Sequence, residues 1–64
     1  MRWHDLKPGD SLVGDSGSVY SILAVESSDQ PGKVRVTVLN LADASTHTED
    51  VNNVNMDFFE VYRA

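Results

Sequence analysis

The chain has no cysteine, which excludes disulfides and thiolate zinc sites. In a domain of 64 residues that absence matters. So short a chain buries only roughly 60% of the surface its unfolded form exposes, and domains of this size commonly lean on a disulfide, a metal or a partner. A tightly packed core, self-association or a partner protein must supply the stability instead. Absent too is any run of about 18 apolar residues, so no membrane-spanning segment is expected. The segment Met1 to Asp5 lacks the apolar centre of a secretion signal, and a cytoplasmic location is the expectation. Basic residues are scarce, five against ten Asp and Glu, for a net charge of −5. None lies between Arg35 and Arg63, a stretch that holds Asp43, Glu49, Asp50, Asp57 and Glu60. Nucleic acid is therefore an unlikely partner, because phosphates need Lys and Arg to neutralise them. A basic protein surface would be attracted.

Turn chemistry and short β-prone runs fill the chain. Lys7-Pro8-Gly9-Asp10 is a turn, with proline fixing one dihedral, glycine accepting a positive φ and aspartate free to bond nearby backbone. Ser11 to Val13 reads as a short strand and Gly14 to Gly17 as a second turn. Val19 to Val25 is rich in β-branched and aromatic residues. Tyr20, Ile22 and Ala24 share one face and Val19, Leu23 and Val25 the other. With both faces apolar, the strand is either covered on both sides or bulged so that it changes face midway. After a polar loop, Lys33 to Leu41 alternates, with Val34, Val36 and Val38 on one side. The alternation slips at Leu39 and Leu41, which predicts a bulge or strong coiling near Asn40. Thr46 to Asp50 is polar throughout and reads as an edge strand. Val51 to Asn55 predicts a single 3₁₀ turn. Met56 to Tyr62 is the last strand, with Phe59 and Val61 inward and Phe58, Glu60 and Tyr62 outward. The pattern predicts an all-β domain spanning residues 1–64, a small antiparallel barrel of five strands. Closure would remove the sheet edges that a small chain cannot otherwise cover.

The run "LKPGDSLVGDSGSVYSILAVE", followed by "GKVRVTVLNL", resembles the opening of small SH3-like barrels, including the KOW and Tudor types. The resemblance implies a turn, a strand, a glycine-bearing turn, a bent strand and a third strand. In KOW domains it implies binding of RNA or of ribosomal or polymerase proteins through basic loops. The corresponding loops here carry Asp10, Asp15 and Asp29. A Tudor-type cage would draw its aromatics from Trp3, Tyr20, Phe58 and Tyr62. Such a short chain, with "DFFEVYR" near its end, is also similar in style to small bacteriophage accessory proteins, which implies the host cytoplasm as its location.

Chemistry-bearing sets are few. Gly14-Asp15-Ser16-Gly17 matches the letters around the nucleophile of chymotrypsin-like proteases, but that chemistry needs a histidine and an aspartate held by two barrels. A hairpin turn is the simpler reading. His47, Glu49 and Asp50, with His4 and Asp5, are the residues of metal-ligand type, yet nothing in their spacing brings His4 to His47. Asp57 and Glu60, three apart on a strand, fall on opposite faces. No enzyme activity and no cofactor are expected. The aromatic surplus points instead to a protein-interaction domain that binds a partner or itself. Its contact residues would be Trp3, Tyr20, Phe58 and Tyr62, rimmed by Glu49, Asp57 and Glu60. Two alternatives are an acidic nucleic-acid mimic that inhibits a host DNA-binding protein, and a structural virion component.

Overall fold

The computed structural model describes every residue from Met1 to Ala64. Five strands form one antiparallel sheet: β1 (Ser11–Val13), β2 (Val19–Ser27), β3 (Lys33–Asn40), β4 (Ser45–Asn52) and β5 (Glu60–Tyr62). Their order is β4-β3-β2-β1-β5. The all-β antiparallel class and the strand count are as expected, and the arrangement is compatible with an SH3-like fold. Hydrogen bonds do not close the ring, however. β4 and β5 share no ladder, so each is an edge.

The turn from Lys7 to Asp10 shows how local chemistry aims the first strand. Asp10 N–H donates to the Lys7 carbonyl at 3.1 Å, and Gly9 sits at φ 95°, the left-handed value that a type II turn asks of its third residue. The chain's other end also presses here: a Cβ on Gly9 would lie 3.2 Å from Ala64 Cβ. Gly9→Ala is therefore expected to cost about 1–2 kcal/mol from backbone strain and crowding together. Urea titration checks this, and an alanine variant as stable as the parent would contradict the geometry.

β2 changes face as its sequence allows. Ile22 pairs with Val38 and Ala24 with Thr37, leaving Leu23 as the extra residue of a bulge. Before the bulge Tyr20 and Ile22 pack into the core; after it Val25 does. One strand thus supplies apolar side chains to both halves of a curved sheet, which explains why neither of its faces is polar. On β3, Val34 and Val36 are buried, and Val38 packs beside them. Leu6, Leu12, Ile22 and Met56 complete the buried cluster.

Three local expectations need correction. The bulge expected near Asn40 is absent: β3 pairs without interruption on both sides as far as Asn40. Leu41 lies beyond the strand and is exposed. The 3₁₀ turn expected at Val51–Asn55 is found instead at Trp3–Asp5. Val51 and Asn52 extend β4, because Val51 pairs with Val34 on the core side. The N-terminal turn is held by Arg2 N–H donating to Asp5 Oδ2 at 3.0 Å, with Asp5 N–H returning to the Arg2 carbonyl at 3.0 Å. Last, the strand expected over Met56–Tyr62 is ordered as a strand only from Glu60. Met56 N–H donates to the Met1 carbonyl at 2.9 Å and Phe59 N–H to the Met56 carbonyl at 3.0 Å. This turn inserts Met56 into the core, where it is 1% exposed.

Candidate functional site

Because β4 and β5 do not meet, the core has one open side. Its floor is Leu12, Val36, Val38 and Val51, and its walls are Trp3, Tyr20 and Phe59. His47 and Glu49 stand at the rim. The register explains their place: His47 pairs with Val38 and Glu49 with Val36, so both side chains rise from β4 on the side of the sheet that carries the core valines. The hollow has a volume of about 260 Å³. Small-molecule pockets usually begin at roughly 300 Å³, so the hollow is a little smaller than most of them.

Phe59 is the wall between this hollow and a second, more polar one. The second is lined by Val13, Gly14, Asp15, Asp57, Phe58, Phe59 and Glu60. Trp3 meets Phe59 edge-on with ring centroids 5.7 Å apart, and Phe58 meets Phe59 at 4.9 Å. Edge and tilted contacts of this kind suit the ring quadrupoles. They make an aromatic ridge, Trp3–Phe59–Phe58, whose outer end is in water: Phe58 is 57% exposed.

The residues expected to form one contact patch therefore divide. Trp3, Tyr20 and Glu49 line the apolar hollow; Phe58, Asp57 and Glu60 line the polar one. Tyr62 lines neither. It lies on the outward side of β5 and donates its hydroxyl to Glu60 Oε2 at 2.9 Å, and that bond raises the phenol above its usual pKa. Phe59 was expected only to fill the core. It packs against the core and also joins the two hollows, because the turn at Met56 aims successive aromatics at neighbouring surfaces. Sequence alternation alone cannot reveal this, since it presumes a strand where there is a turn.

The histidines stay apart. His4 Nε2 lies 3.1 Å from Asp5 Oδ1 and its Nδ1 lies against the Asn53 amide, whereas His47 neighbours Ser45. Gly14 to Gly17 makes the β1–β2 hairpin turn, with Gly17 N–H donating to the Gly14 carbonyl at 3.0 Å. No helix is long and apolar enough to cross a membrane.

The acidic groups differ in how far they are engaged. Ion pairs hold Asp10, Asp50 and Asp57, and Asp5 accepts from Arg2 N–H. Asp43 accepts from the Ser45 hydroxyl at 2.6 Å and from its backbone N–H at 3.0 Å, and these bonds hold its carboxyl below the usual range. Glu49 has no such partner: it stands exposed at the mouth of the apolar hollow. The chain matches no protein-family model, no curated protein and no solved structure.

Proposed function

We propose that this chain is a non-enzymatic protein-interaction domain that engages a partner protein over the Trp3–Phe59–Phe58 ridge and the hollow beside it. The observation that carries the reading is the open side of the core. Seven of the nine residues that line the hollow are hydrophobic, and apolar surface left concave and wet is favourable to cover. In this reading the chain is a small accessory protein of the bacteriophage type, acting on a host or virion protein. An acidic mimic of nucleic acid is less well supported. Within the acidic stretch, Asp50 is tied to Arg35, Asp43 to Ser45, and Glu60 receives Tyr62.

Site-directed photo-crosslinking in the native host tests this. A photoreactive residue in place of Phe58 is expected to give a discrete adduct with one identifiable protein. The same residue at Glu26, on the far side of the sheet, is expected to give none. Phe58→Ser should lose the partner while the chain stays folded, its melting temperature falling by no more than about 10 °C, since the exposed ring gives up only its contact with Phe59. Adducts formed equally from both positions, or from Glu26 alone, would overturn the assignment.

A further inference from the structure

The edge of β4 offers more than a rim to the hollow. All eight residues of β4 pair with β3 in unbroken register, so every second backbone group points away from the sheet. Outside the strand ladders, the only backbone hydrogen bond that β4 makes is at its end, from Val54 N–H to the Asn52 carbonyl. Ser45 N–H is taken by the Asp43 carboxylate, but from Thr46 to Val51 the outward donors and acceptors have no partner in the chain. β4 also lacks the usual guards of an exposed edge: it has no proline, no lysine and no bulge. Beside this edge lies the hollow, where β5 would have to meet β4 for the ring to close.

One guard is present, and it selects the occupant. Glu49 points to the core side, opposite Val36. A strand laid along β4 would cover that carboxylate, and covering an unpaired charge is costly. An apolar or acidic strand is therefore rejected, and one with a cation at that position is accepted. A second copy of β4 fits less well, because β4 brings Glu49 and Asp50 and no Lys or Arg, its one basic group being His47.

We propose that β4 is a strand-addition site: an extended segment of a basic partner protein pairs with Thr46–Val51, sets alternate apolar side chains into the Trp3–Phe59 hollow, and places a lysine or arginine against Glu49. This rests on the interaction reading above and adds the partner's chemistry and its mode of binding. Main-chain hydrogen bonds supply affinity in such complexes, and alternate side chains supply specificity.

The test uses the whole chain and an acetylated Thr-Val-Thr-Lys-Thr-Val-Thr peptide, followed by NMR titration and amide exchange. The peptide is expected to shift the signals of Trp3 and Phe59 and to protect β4 amides that exchange freely in the unliganded protein. Replacing its lysine with glutamate should weaken binding about tenfold or more. N-methylation along one peptide edge, which leaves every side chain in place, should abolish binding. Glu49→Lys should reverse the preference between the lysine and glutamate peptides. Glu26→Lys, the same charge change on the opposite side of the sheet, should keep the preference within about twofold. If the N-methylated peptide binds as well and shifts only Trp3 and Phe59, strand addition is wrong while the interaction reading stands. If no peptide shifts those signals, strand addition falls, and the interaction reading is decided by the crosslinking from Phe58. If the protein alone forms dimers with β4 protected, the occupant is a second copy and the basic partner is ruled out.

Discussion

Asp10→Ala is expected to lower the urea midpoint more than the loss of any other carboxylate in the chain. Asp10 is the one buried charged residue, 2% exposed, and each of its polar groups is used. Its carboxylate accepts from Lys7 N–H at 2.9 Å and from Ala64 N–H at 3.1 Å, and pairs with Arg63 Nε at 3.1 Å. Its own carbonyl accepts from Ile22 N–H at 2.8 Å. One side chain thus closes the first turn and fastens the segment after β5 to it. Removing it leaves two backbone donors and a guanidinium without their acceptor; these belong to exposed residues that water can reach, so the cost is the loss of three charge-assisted bonds, each worth more than a neutral one. Asp10→Asn should also destabilise, because its amide can accept one of these bonds but does not pair with Arg63. If Asp10→Ala and the exposed Asp15→Ala shift the midpoint equally, this latch has no energetic role.

The same contacts set an acid response. The backbone N–H groups of Lys7 and Ala64, with Arg63 beyond them, hold the Asp10 carboxyl below the usual range. The N–H of Arg2 does the same for Asp5. A carboxyl with a depressed folded pKa adds stability that is complete above its unfolded value, near pH 4, and disappears as pH falls through the folded value. The urea midpoint should therefore be flat from neutrality to about pH 5 and decline below about pH 4. Asp10→Asn should show a shallower decline. An unchanged slope would show that Asp10 is not the group being titrated.

Ile22→Ala is expected to leave the chain largely unfolded at room temperature. Ile22 is 1% exposed at the centre of the core. Such a truncation removes about 2–5 kcal/mol, and a single core below about 70 residues supplies little more than that. The neighbouring Leu23→Ala is the control. Leu23 is the unpaired residue of the bulge and is 43% exposed, so its truncation should cost under about 1 kcal/mol. Circular dichroism with urea titration separates the two. Equal losses at these adjacent positions would mean that Leu23 is packed into the interior and not set out of it at the bulge.

Much of the fold is legible in residue order because its causes are local. The Pro8-Gly9 turn, the hairpin turn at Gly14–Gly17 and the valine alternation of β3 depend on neighbours within a few residues, and all are found. The edge character of β4 follows from its polarity alone. The bulge in β2 is half legible: two apolar faces demand either full cover or a change of face, and only the pairing with β3 selects Leu23. The region from Val51 to Phe59 is where local reading fails. Its asparagines suggest a turn and its aromatics a strand. Val51 is instead recruited by Val34 across the sheet, and Met56 is drawn inward by the core and by a bond to the Met1 carbonyl.

Composition and periodicity by themselves determine that this is a β domain without covalent staples, with no basic residue between Arg35 and Arg63 to offset the acidic ones there. Side-chain chemistry and the two-residue repeat are properties of the chain before it folds. Tertiary structure alone decided that β4 and β5 stay apart, and hence that Trp3, Tyr20 and Phe59 line an open hollow with Glu49 at its mouth. No spacing along the chain encodes the distance between two edges of a sheet; that is set by twist, by the Leu23 bulge and by the turn that carries Met56 into the interior.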